Sequence, residues 1–247
     1  MFARDAVVHG VRNSTAKHAA SLSTRSLHVH TPAVSASRSH EQKELARTAQ
    51  ALGVPLSERQ VEQLLELLDE LTKWNRTHNL TAITDRGEMI THHLLDSLSV
   101  HTALEGQTVA DVGTGAGFPG LPLAVVNPDR AFTLIDSNNK KVRFVAHAAR
   151  TLGLANVTAV HGRAEASDQS TPFDTVVARA FAALPELLEK VAPLCGASTR
   201  VLAMKGKRPD TEIAAVPSTW RVIETRALDV PGLNAERHVV ILQRANP

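Results

Sequence analysis

The chain has 247 residues, 43% of them apolar and 21% charged, with a formal net charge of +2, the profile of a soluble protein of one large domain with room for an appendage. A single cysteine, Cys195, excludes an internal disulfide and a cysteine-rich metal site. No apolar run approaches the roughly 18 residues that a membrane span needs, and the close histidine pairs His28/His30 and His92/His93 bring no further ligands, so neither a membrane nor a metal is expected as a partner.

Residues 1–40 hold five Lys or Arg against the single acid Asp5, with five histidines, many Ser and Thr, and no apolar periodicity. Such a stretch buries too little surface to offset its ordering entropy and reads as a disordered basic tail. Its composition is also that of a transit peptide without the amphipathic helix, or of a start site placed too early. The tail carries +4, which leaves −2 on residues 41–247, so nucleic-acid binding has to rest on local cationic clusters.

Residues 41–104 read as a helical cap. Ser57-Glu-Arg-Gln60 is a capping-box pattern, and Val61, Leu64, Leu65, Leu68, Leu71 and Trp74 follow at helical spacing. Polar turn formers fill Asn75–Thr84, and a second amphipathic helix is expected over Glu88–Leu104. His92, His93 and Asp96 fit a half-buried, hydrogen-bonded face of that helix better than a functional site.

Residues 105–247 alternate strand and helix patterns, which predicts an α/β fold with a seven-stranded, mostly parallel, doubly wound sheet. Strands are expected at Val109–Val112, Phe132–Ile135, Val157–Val160, Asp174–Ala178, Arg200–Met204, Arg221–Ala227 and Val239–Gln243, the last pair antiparallel. Helices are expected at Leu121–Val126, Lys140–Leu152, Leu184–Ala192 and Asp210–Val216. The first strand feeds a loop with Gly113, Gly115, Gly117 and Gly120, the arrangement that lets a ligand approach bare backbone ahead of a helix. The G-x-G-x-x-G spacing alone does not choose the ligand. Asp111, two residues before Gly113, favours S-adenosyl-L-methionine over NAD, because an acid there helps to position the cofactor's amine. Pro119 removes a donor that a pyrophosphate would use.

Ligands of such sheets sit beyond the carboxyl ends of the strands, which selects the remaining candidates. Asp136 closes the second strand, where an acid accepts ribose hydroxyls; Ala164 and Glu165 follow the third, near an adenine ring. Arg179 and Phe181 follow the fourth, beside the transferring methyl, and are the candidates for shaping catalysis. The RNA-binding candidates are Lys140 and Lys141 at a helix start, Lys205, Lys207 and Arg208 after the fifth strand, and Arg237 and His238 at the seventh.

Taken together, Trp74-Asn75, His78-Asn-Leu-Thr81, His93-Leu-Leu-Asp-Ser97, Asp111-Val-Gly-Thr-Gly-Ala-Gly-Phe-Pro-Gly120, Asp136-Ser137, Lys141-Val-Arg-Phe144, Arg163-Ala-Glu165, Arg179-Ala-Phe-Ala182, Lys205-Gly206 and Glu236-Arg-His238 resemble the RsmG (GidB) family over about residues 42–244. The resemblance implies a Rossmann-like class I methyltransferase that acts in the bacterial cytoplasm on N7 of a guanine in 16S rRNA, alone or in the small ribosomal subunit. It further implies cofactor contacts at Gly113, Phe118, Ala164, Glu165 and Arg179. His92 stands where many members carry Arg, and Asn138-Asn139-Lys140 is a loose version of the family's turn.

The chemistry agrees by subtraction. Pyrimidine C5 methylation commonly needs a nucleophilic cysteine, and Cys195 is expected in a Pro-Leu-Cys-Gly turn away from any catalytic partner. Exocyclic amine methylation commonly uses an Asn/Asp-Pro-Pro-aromatic run where this chain has Ala178-Arg-Ala-Phe181. Guanine N7 has a free lone pair and no proton to lose, so positioning suffices. A small-molecule methyltransferase on the same sheet is the alternative, and it predicts an enclosed apolar pocket. A monomer is expected.

Overall fold

Residues along the strands alternate between two apolar layers, and that alternation sets the architecture. The computed structural model describes residues 32–166 and 171–245. Among them β1 (Thr108–Val112), β2 (Ala131–Asp136), β3 (Val157–His161), β4 (Phe173–Arg179), β5 (Cys195–Lys205), β6 (Trp220–Ala227) and β7 (His238–Arg244) form one sheet, ordered β3-β2-β1-β4-β5-β7-β6. Neighbours from β3 to β5 pair in parallel, and β7 runs antiparallel between β5 and β6.

Val177, Leu202, Met204, Val239 and Ile241 join one apolar cluster, while Val176, Ala178, Val201, Ala203, Val240 and Leu242 join the other. The second face is covered by α7 (Leu184–Val191), whose Leu184, Leu187, Leu188 and Val191 are buried there, with α8 (Asp210–Ala214) alongside through Ile213. The first face receives α5 (Gly120–Val126) and α6 (Asn139–Thr151).

The N-terminal helices complete that first layer. They are α1 (Pro32–Ala51), α2 (Glu58–His78), α3 (Arg86–Met89), a π-helical turn over Ile90–Leu95, and α4 (Asp96–Leu98). α2 begins with the expected capping box, in which Ser57 Oγ accepts from Gln60 N and Gln60 Oε1 accepts from Ser57 N. Its Leu64, Leu65, Leu68 and Leu71 share one core with Leu94, Leu95, Leu98, Leu121, Phe144, Leu202 and Ile241. The boundary near residue 104 therefore marks a change of secondary structure and not a gap in the packing.

Three expectations need correction. Residues 1–31 of the basic tail lie outside the described residues, but 32–40 open α1, where Arg38 reaches Glu62 at 2.7 Å and Asp69 at 2.8 Å. Ion pairs and the buried Leu45 and Ala49 anchor that helix, which a search for apolar periodicity within 1–40 does not reveal. The helix expected over Glu88–Leu104 starts earlier, at Arg86, where Asp85 caps it, and its helical run stops at Leu98. β5 opens at Cys195 and not at Arg200. Phe173 pairs with Cys195 across a register shift, and the polar Thr199 is used internally, its hydroxyl donating to Phe173 O and accepting from Gly196 N.

Candidate active site

The loop after β1 is tied down by two acids. Asp111 is fully buried, and its Oδ2 accepts from Thr114 Oγ1 at 2.6 Å and Gly120 N at 2.8 Å. A Cβ on Gly120 would lie 2.7 Å from that same oxygen, so only glycine lets the helix start come this close. Asp111 Oδ1 is buried without a partner, and burial pushes the carboxyl up to about 6. Asp136 accepts Gly115 N through Oδ2 and Asn138 N through Oδ1, both at 2.8 Å. Each acid thus shapes the loop before any ligand arrives, a duty that their expected roles toward amine and ribose did not include.

A cavity of about 380 Å³ opens beyond β1, β2 and β4, lined by Gly113, Asp136, Lys141, Ala164, Glu165 and Phe181 among others. Phe181 closes directly over Gly113: with φ at +68°, a Cβ there would lie 2.3 Å from the phenylalanine ring. A second cavity of about 430 Å³ lies beyond β4 and β5, lined by His92, His93, Asp96, Arg179, Met204, Lys205 and Arg237. Ala180 lines both, at φ +48°, an unusual conformation for a residue with a side chain. The two chambers therefore share a lining residue at the carboxyl edge of the sheet.

Asp96 organises the second chamber. Its side chain is 3% exposed; Oδ2 accepts from Arg179 Nη1 at 2.9 Å and Oδ1 from Arg237 Nε at 2.8 Å. Arg179 also donates to His92 O and lies over the Phe118 ring at 5.7 Å. Sequence reasoning placed Asp96 on a hydrogen-bonded helix face without seeing that it gathers β4 and the start of β7. The π-helical turn just before it has no signature in the residue pattern, although such turns are frequent at functional sites.

His93 stacks on Phe118 with centroids 4.7 Å apart, and its Nε2 meets Thr81 Oγ1 at 3.1 Å. Asn75 fixes Thr81 by two bonds to its backbone, which explains the Asn75 and His78–Thr81 runs as a brace behind His93. Burial, with the Arg179 charge alongside, lowers His93 to about 4. The unfolded chain takes up a proton below about pH 6.5 that the folded histidine refuses until about 4, so this group costs stability as pH falls through that window. Wild type is expected to lose up to about 3 kcal/mol relative to His93→Gln between those pH values. The difference cancels Asp111, whose raised carboxyl acts with the opposite sign. Urea melts at stepped pH measure it, and a difference that stays constant would sink the buried neutral imidazole.

Three of the expected RNA-binding cations are already engaged. Lys205 Nζ reaches Glu212 at 2.8 Å and Ala182 O at 2.6 Å, Arg208 pairs with Asp210, and Arg237 with Asp96. His238 Nδ1 meets Gly206 O. Lys140, Lys141 and Lys207 have no carboxylate partner among the described residues; Lys140 and Lys207 are exposed, and Lys141 borders the first cavity. Cys195 is buried at the start of β5, with its thiol pushed up to about 12, which leaves no thiolate for nucleophilic work. Among the described residues no group of three or more His, Cys, Asp or Glu is placed to hold a metal ion, and no helix is long and apolar enough to cross a membrane.

A family model described as rRNA small subunit methyltransferase G matches residues 60–240. Curated relatives named Ribosomal RNA small subunit methyltransferase G include one from Pseudomonas paraeruginosa, 47% identical over 85% of this chain and 99% of its own length. Another, from Cronobacter sakazakii, is 46% identical over 81% and 96%. Among solved structures, TrmN from Thermus thermophilus aligns with a TM-score of 0.50 at 19% identity, over 63% of this chain and 53% of that one, a likeness of fold alone.

Proposed function

The chain belongs to the rRNA small subunit methyltransferase G family, and on that footing we propose that it transfers a methyl group from S-adenosylmethionine to N7 of one guanine in 16S rRNA. It is an rRNA methyltransferase; the cofactor, the atom methylated, a monomeric state, action in the cytoplasm and independence from metal are our reading. The observation that carries it is the pair of chambers meeting at Ala180, one floored by the glycine loop and the other walled by cations.

The first chamber fits the cofactor. Gly113 leaves bare backbone under Phe181, and Asp111 Oδ1 lacks the donor that an ammonium group would supply. Asp136 retains acceptor capacity for ribose hydroxyls beyond its two backbone bonds, since an ionised carboxylate accepts about four. Ala164 and Glu165 border the adenine end, Gly115 and Phe118 hold the loop, and Arg179 serves the carboxylate end. When bound, S-adenosylmethionine would supply a sulfonium methyl as the electrophile, and a guanine N7 with a free lone pair would have no proton to lose. The protein's part is alignment and a site that tolerates a cation, which needs neither a base nor a Lewis acid. Phe181 stands at the junction to steady the reacting partners. Lys140, Lys141 and Lys207 meet phosphates, and Lys205, Arg208, Arg237 and His238 shape the edge between them.

The test is incubation with labelled S-adenosylmethionine and either unmodified small subunits or free rRNA, followed by mapping. Label is expected on a single guanine whose strand is cut by borohydride and aniline, the reaction of a cationic 7-methylpurine. Label on a pyrimidine or an exocyclic amine overturns the proposal. The single-turnover rate at saturating substrate is expected to stay nearly flat from about pH 7 to 9, above both His93, held near 4, and Asp111, near 6. A tenfold rise per pH unit, abolished by replacing His93 or His238, would reveal a working base.

A further inference from the structure

We propose that the second chamber reads the target guanine, with Arg237 recognising O6 and Asp96 holding that arginine in place. This rests on the methyltransferase reading above and adds how the base is chosen. The walls are rich in donors and poor in acceptors. Arg237 spends Nε on Asp96 and Nη1 on Glu236 O, and its Nη2 has no partner among the described residues. Lys205 Nζ carries three N–H groups and spends two. The one carboxylate present, Asp96, already holds a guanidinium on each oxygen and its side chain is only 3% exposed, so little of it is open to a base.

A wall of donors selects a base by the acceptor it presents. Guanine carries O6 beside N7, whereas adenine carries an N6 amine in the same place, which would face donor with donor. Two arginines on one aspartate also leave a surplus positive charge, which favours a carbonyl oxygen there over an amine. The planar guanidinium explains why the position holds arginine: Nε can be fixed by Asp96 while Nη2 remains available, a division that a lysine ammonium does not offer. Ala180, which lines both chambers, then stands at their shared border.

The experiment uses reconstituted small subunits that carry guanosine, inosine or 2-aminopurine at the mapped target position. Inosine keeps O6 and N7 and lacks the N2 amine; 2-aminopurine keeps N7 and the amine and lacks O6. Wild type is expected to methylate inosine within about fivefold of guanosine and 2-aminopurine about 10- to 100-fold more slowly. In Arg237→Met the ratio of guanosine to 2-aminopurine rates should collapse toward one, while S-adenosylmethionine affinity by calorimetry stays within about twofold. Should that variant not fold, Arg237→Lys keeps a charge beside Asp96 but loses Nη2, and the same collapse is expected. Rejection of inosine as strong as that of 2-aminopurine, or a preference that survives in the folded variants, overturns this proposal alone. Absence of guanosine labelling by wild type overturns the methyltransferase reading with it.

Discussion

Asp96→Ala is expected to lower folding stability by about 3 kcal/mol, the cost of removing one partner from a buried charge cluster. The side chain is 3% exposed and two guanidinium groups converge on it, so alanine leaves like charges facing each other with no anion between them. Each arginine is about a fifth exposed, and water reaching them keeps the loss at the lower end of the usual range. The same change cuts the tie to β7 and leaves Arg179 held to the π-helical turn only through His92 O, so S-adenosylmethionine affinity should fall at least about tenfold, the effect of a charge-assisted hydrogen bond lost at Arg179. Urea denaturation with an unchanged slope measures the first effect, and calorimetry measures the second. A loss below about 1 kcal/mol would show that the arginines hold their places without the aspartate.

Gly113→Val is expected to abolish measurable S-adenosylmethionine binding, with affinity down by more than about 100-fold. At φ +68° a β-branched residue carries roughly 1–3 kcal/mol of backbone strain before any contact is counted. Its Cβ would also fall 2.3 Å from Phe181 Cδ2 and 2.9 Å from Cε2. The ring has to move, and it borders the chamber proposed for the cofactor, so relief of the clash disturbs the space a ligand needs. A variant that binds within tenfold of wild type would show that Phe181 turns away from the chamber and that Gly113 does not form its floor.

What could be read from the residues follows from how far each interaction reaches along the chain. The strands were legible because apolar alternation is local: Val239 to Leu242 point to opposite faces in turn, and both faces are covered. The capping box of α2 was legible for the same reason. The start of β5 was not, since Gly196 and Thr199 look like turn residues until Phe173 is seen beside them. At the site, the glycine loop announced itself by composition, whereas the commitment of Asp111 and Asp136 to hold that loop depends on bonds across 9 and 21 residues. Cations were harder still. Lys205 and Lys207 are alike on the page, yet one is paired to Glu212 and the other is exposed.

The placement of β7 governs when this enzyme comes into being. It enters the sheet between β5 and β6, both of which precede it in the chain, and it brings Arg237 to an aspartate 141 residues earlier. A nascent chain that has reached only β6 holds a sheet with its inner strand missing and an Asp96 with one of its two partners absent. Contacts so distant in sequence form late, after the local helices and hairpins have settled. The chamber beyond β4 and β5 is therefore completed only once β7 has joined the sheet and Arg237 has reached Asp96.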